Sequence, residues 1–168
     1  MKQKPRDPRW GSYPETVLTF AGEPELFIDL RVPVSPPVRD ALRALGLGEP
    51  FGILTAFNPR GVDHPAEENS RRMDELEAEL RSTGAEFVSV DACSPDKLHC
   101  ECSVAMKAEM KRVLDIARRY EQIAIFWWDG SKFWIQGAIE NGHLPLPVEG
   151  EGIPSVKPAP LTRKKPRP

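Results

Sequence analysis

The stretch FGILTAFNPRG, Phe51 to Gly61, sets the frame for the rest of the chain. Phe51 to Phe57 is apolar on both faces, as a strand covered on both sides must be, and Asn58-Pro59-Arg60-Gly61 stops it with turn-forming residues. Downstream, Pro65 to Ser82 repeats Ala66, Asn69, Met73, Leu76 and Leu80 at helical spacing, with Glu67, Glu68, Arg71, Asp74, Glu75 and Glu79 elsewhere. That pattern predicts a long amphipathic helix, and Gly84 is placed to end it. Phe87 to Ala92 then reads as a strand and Ser94-Pro95-Asp96 as a turn. His99 to Ala105 alternates with period two, placing Cys100, Cys102 and Val104 on a buried face and His99, Glu101 and Ser103 on the other. Met106, Met110, Val113, Leu114, Ala117 and Tyr120 give a second helix, and Gln122 to Trp128 a second two-sided strand. Asp129-Gly130 predicts a turn that returns Lys132 to Gln136 antiparallel to it.

From Phe51 the order is therefore βαββαβ, the order of a ferredoxin-like split unit. The expected class is α+β: a mostly antiparallel sheet with two main helices on one face, an added N-terminal hairpin and a C-terminal strand. A mixed α/β sheet is the alternative, since periodicity does not fix strand pairing. The hairpin comes from Thr16 to Phe20 and Leu26 to Arg31 around Gly22-Glu23-Pro24-Glu25, and Pro37 to Leu45 adds a short helix.

Proline and charge mark the ends. Seven of the 18 prolines lie between Pro145 and Pro168, whereas Ala66 to Leu144 contains only Pro95. The reading is a basic tail over residues 1–12, one domain over 13–144 and a proline-rich basic tail over 145–168, the last docked in part through Leu146, Val148 and Ile153. The net charge of −2 combines +3 in Met1 to Arg9 and +5 in Lys157 to Pro168, leaving −10 for the body. An acidic body disfavours nucleic-acid binding, since phosphate backbones are held by clustered Lys and Arg, so only Lys157, Arg163, Lys164, Lys165 and Arg167 in the tail would contribute. With 168 residues, 40% apolar and 29% charged, the chain is long enough for a buried core. No run suits a bilayer span or a signal segment, so the expectation is a cytoplasmic protein without membrane contact. Three cysteines are too few for a disulfide framework, and reduced thiols are the default expectation.

Four elements share an order with one family. LTAFNPRG (Leu54 to Gly61), Glu68-Asn69, Glu101-Cys102-Ser103 and YEQIAIFW (Tyr120 to Trp127) resemble the DUF3293 family over about Tyr13 to Ile135. The resemblance implies Asn58, Asn69, Glu101, Ser103 and Gln122 as candidate positions and implies no reaction. The chain departs from the pattern at His99-Cys100, where an aromatic residue is expected before the glutamate, and in a shortened link into the second helix.

The residues themselves give each candidate two readings. Asn58 ends a central strand and Asn69 lies on the inward face of the next helix, so together with Arg60 they suit a polar or anionic ligand. The alternative is that both asparagines brace the turn and Arg60 is solvated. Glu101, Ser103 and His99 share a face near Asn58, the best polar cluster. A buried Glu101 would serve as general acid or base, with Ser103 a lesser catalytic candidate. Side chains at i, i+2 and i+4 of a strand run parallel, which disfavours a Ser-His-Glu triad. Cys93, His99, Cys100 and Cys102 have zinc-compatible donors but cannot easily converge, so buried free cysteines are the simpler reading; neither metal nor cofactor is expected. One of Trp127 and Trp128 must face away from the helices, and an open second face would make it a contact surface. The leading expectation is a module binding a polar small molecule or a protein partner through Asn58, Arg60, Asn69, Glu101, Ser103 and Gln122. The rivals are an enzyme using Glu101, and nucleic-acid binding through the tails.

Overall fold

The computed structural model describes residues 8–148. Apart from Arg9, the basic residues of both tails lie outside them, as does Ile153. Within this span the chain is α+β, with three helices and an eight-stranded antiparallel sheet. The elements are β1 (Val17–Phe20), β2 (Leu26–Asp29), α1 (Pro36–Ala44), β3 (Phe51–Leu54), α2 (Ala66–Ser82), β4 (Phe87–Cys93), β5 (Cys100–Met106), α3 (Met110–Arg119), β6 (Ala124–Trp128), β7 (Phe133–Gly137) and β8 (His143–Pro145). Their order across the sheet is β2-β1-β4-β5-β3-β6-β7-β8. The N-terminal hairpin forms as expected, with Val17 opposite Asp29 and Phe20 opposite Leu26, and joins the sheet through β4.

Alternation along the central strands sends side chains into two apolar layers. Leu54, Val104, Met106, Ile125 and Trp127 pack beneath α2 and α3, against Met73, Leu76, Leu80, Val113 and Ala117. Phe51, Ile53, Ala105 and Trp128 enter the other layer, with Leu18, Phe20, Ile28 and Phe133 and with Leu42 of α1. Gly52 explains how closely α3 approaches. A Cβ there would lie 2.5 Å from Val113 Cγ1, so only glycine lets the helix lie on β3.

Several local expectations change. β3 stops at Leu54 because Thr55 turns its hydroxyl to Cys102 O at 2.6 Å and accepts from Phe57 N–H at 3.0 Å, taking over the edge bonding. β5 runs on to Met106, which pairs with Gly52 and Phe87, so the second helix starts at Met110. The short strand β8, which the sequence pattern did not predict, runs across the expected domain end at residue 144 and pairs with β7, and Leu146 after it is buried, whereas Val148 is exposed. The cysteine readings are corrected. The hairpin register sets Cys93 opposite Cys100 and the two form a disulfide, while Cys102 is exposed. Cys100 and Cys102 are exposed because the start of β5 extends beyond the helical cover that buries Val104 and Met106. Trp127 and Trp128 do point to opposite faces, but both are buried, because the second face carries its own apolar layer.

Candidate functional site

Where β3 ends, the backbone enters an unusual turn. Asn58 takes φ 47°, ψ 59° and Arg60 takes φ 56°, both in the left-handed region, on either side of Pro59. Asparagine accepts this conformation better than most residues, and such turns persist only where their surroundings hold them. Glu121 has φ 56° as well, in the turn between α3 and β6, and the two turns are joined. Arg60 N–H donates to Glu121 O at 2.7 Å, and its guanidinium pairs with the Glu121 carboxylate at 2.9 Å.

The asparagine pair completes the brace. Asn58 N–H donates to Asn69 Oδ1 at 2.8 Å, and Asn69 Nδ2 donates to Asn58 Oδ1 at 2.9 Å and to His64 O at 3.3 Å. Asn58 Oδ1 also accepts from His64 N–H at 3.0 Å. Gln122 spends both amide protons on backbone carbonyls, those of Phe57 and Tyr120, each at 3.0 Å. Arg72, one turn beyond Asn69 on α2, reaches Ala56 O and Tyr120 O as well. Three buried amide side chains thus supply the hydrogen bonds that irregular buried backbone needs.

In front of this brace lies a cavity of about 350 Å³. Asn58, Glu101, Gln122 and His99 give it polar groups, while Tyr13, Phe57 and Phe126 give it aromatic walls. Ser12, Thr16, Cys93 and Ser94 also border it. The remaining Asn58 amide proton chemistry is directed at the site: Nδ2 donates to Glu101 Oε1 at 3.1 Å, and His99 Nε2 lies 3.4 Å from the same oxygen. Among the described residues no donor meets Glu101 Oε2 or Gln122 Oε1. The Glu101 side chain keeps 21% of its exposure and His99 keeps 62%. The site therefore presents acceptors, a carboxylate oxygen and an amide oxygen, beside aromatic faces.

His99 is held by its own turn. Ser94 N–H donates to His99 O at 2.8 Å, His99 N–H donates to Ser94 Oγ at 3.1 Å, and Ser94 Oγ–H donates to Asp96 at 2.6 Å. The Ser94 hydroxyl and Leu98 N–H hold the Asp96 carboxyl below its usual range. The disulfide closes the base of this hairpin. On the opposite wall, Tyr13 meets Phe126 edge-on with centroids 6.2 Å apart, and Trp10 anchors the segment by donating Nε1–H to Glu140 at 2.6 Å.

Of the six residues expected at a binding site, Asn58, Glu101 and Gln122 line the cavity. Asn69 stands behind Asn58, buried and fully engaged. Arg60 is exposed and tied to Glu121 outside the lining. Ser103 is buried, with its hydroxyl on the backbone oxygen of Glu101 at 3.3 Å, and does not reach the cavity. Tyr13, Thr16 and Phe126 escaped the sequence reading. They come from segments more than 40 residues from the Asn58 turn, and only the pairing of β1 with β4 and β3 with β6 brings them near.

The family model described as "Protein of unknown function (DUF3293)" matches residues 54–125. That segment contains Asn58, Asn69, Glu101 and Gln122 but not Tyr13 or Phe126. No curated protein and no solved structure matches the chain.

Proposed function

We propose that this chain belongs to the DUF3293 family, whose model matches residues 54–125, and that it binds a small polar ligand whose cationic head faces Glu101 and Gln122. The observation that carries the reading is the pairing of two uncommitted acceptors, Glu101 Oε2 and Gln122 Oε1, at one cavity walled by Tyr13, Phe57 and Phe126. A carboxylate beside aromatic faces favours an ammonium or guanidinium group by charge and by cation–π attraction. A volume of about 350 Å³ suits a small molecule. The test is a titration of the full chain with cationic agmatine and with the neutral amide butyramide, read by ligand-observed NMR. Agmatine binding that weakens at least tenfold in Glu101→Gln supports the proposal. Equal binding of both probes, or an affinity that Glu101→Gln leaves unchanged, overturns it.

A second reading rests on His99 Nε2, 3.4 Å from Glu101 Oε1. In it the pair moves a proton on a bound substrate, Glu101 being the acid or base and His99 its exchange partner with solvent. Turnover of a candidate substrate that falls at least a hundredfold in Glu101→Gln with little change in KM would favour this reading over binding alone. The finer fold assignment to a ferredoxin-like unit is supported by the neighbour order β4-β5-β3-β6, with α2 and α3 on one face.

A further inference from the structure

A second cavity lies away from the first, between the N-terminal half of α1 and the edge built from the β6–β7 turn and β8. Its volume is about 580 Å³. Its walls are apolar, with Val34 on one side and Leu144 and Leu146 on the other, flanked by prolines. Among the described residues its charged members are Arg39 and Lys132, and no acidic one lines it.

Arg39 is the unusual member. Its Nε is buried without an acceptor, and no carboxylate pairs with it among the described residues. The adjacent Asp40 is taken by Arg43 at 3.0 Å. The rest of the side chain is only partly buried and borders the groove, so its guanidinium is open to an anionic ligand there. Lys132 reaches the same cavity from the β6–β7 turn, its Nζ 5.4 Å above the Trp134 ring. Asp129, the acid of that turn, accepts from Ser131 N–H, Lys132 N–H and Trp134 Nε1–H.

We propose that this groove is a second ligand site that takes a small amphipathic oxyanion. The anionic head pairs with Arg39 and Lys132, and the apolar body lies along Val34, Leu144 and Leu146. The arrangement inverts the reading of the first cavity, which rests on the spare acceptors of Glu101 and Gln122. The groove therefore selects a different ligand and stands apart from the reading given for Glu101.

The test is a calorimetric titration of the full chain with octanoate and with inorganic phosphate. Octanoate is expected to bind at least tenfold more tightly than phosphate. Arg39→Gln and Lys132→Gln are each expected to weaken it at least fivefold, while Glu101→Gln leaves it unchanged. Lys132 is exposed, so Lys132→Gln keeps the test valid should Arg39→Gln unfold the protein. Absence of octanoate binding, or binding that neither substitution affects, overturns the proposal. The chain continues past Val148 with Glu149-Gly150-Glu151. Octanoate binding that appears only in the Glu149→Gln, Glu151→Gln double variant would give the cation pair to that acidic segment and overturn it equally.

Discussion

The floor of the Glu101 cavity and its mouth are built from similar polar residues under opposite obligations. On the floor, Asn58, Asn69 and Gln122 are buried, and their donors go to backbone carbonyls, to each other or to Glu101. At the mouth, Glu101 and His99 are partly open and share one oxygen, leaving the second carboxylate oxygen unengaged. The floor maintains a backbone with three left-handed residues, and the mouth holds chemistry in reserve. Buried amides whose nitrogens are engaged support structure, whereas a partly exposed carboxylate with a spare oxygen costs little to keep and is available to a ligand.

The largest effect should follow from breaking the floor. Asn69→Ala removes the acceptor of Asn58 N–H and the donor to Asn58 Oδ1 and His64 O, leaving buried groups unpaired. A loss of roughly 2–4 kcal/mol is expected in urea unfolding. A loss below about 1 kcal/mol would show that the asparagine pair is not a brace, and the comparison would fail at its first step.

Opening the mouth should cost less. Cys100→Ser, or reduction of the disulfide, releases a loop of separation 7, for which chain entropy predicts roughly 2 kcal/mol. Amide exchange should quicken between Ser94 and His99 and stay slow at Asn58. Equal acceleration at both places would mean that floor and mouth unfold as one unit.

Tyr120 tests the edge of the floor, where its carbonyl accepts from Gln122 and Arg72. Burial, and then the hydrogen bond to Glu79, push its phenol up to about 12. Since the folded state holds this proton more tightly than the unfolded chain, the contribution is complete below about pH 10. It is lost as pH rises through about 12. Phenolate absorbance of this two-tyrosine chain should show a step near 12 that Tyr120→Phe removes, together with the added alkaline loss of stability.

How much of this was legible beforehand depends on range. The two-sided apolar runs at Phe51 and Ile125 and the helical repeat from Ala66 reported burial directly, so the helical layer and the hairpin were readable, whereas the apolar cover on the second face was not. Asn69 on an apolar helical face was conspicuous because a polar residue there must have a partner. The disulfide was not readable, because it depends on the register that sets Cys93 opposite Cys100 across a six-residue turn. Ser103 shared a face with Glu101 in the alternation, yet alternation cannot say where a cavity ends, and Ser103 lies inside the packed part of β5. The aromatic walls and the groove at Arg39 arise from elements far apart in sequence, which no local pattern joins.

The smallest expected effect is also the sharpest separation of mouth from floor. In Glu101→Gln the side-chain oxygen that accepts from Asn58 Nδ2 has a counterpart of the same size, so the bond to the floor survives, while the contact with exposed His99 loses its charge. An exposed ion pair contributes only about 0–1 kcal/mol, so unfolding stability should stay within about 0.5 kcal/mol of the parent. The new amide donor, however, replaces one acceptor at the mouth, where a cationic head needs both oxygens. Ligand affinity should therefore fall by at least tenfold while the fold is untouched. A variant that loses both together would make Glu101 a fourth member of the brace, and one that loses neither would leave its spare oxygen without a role.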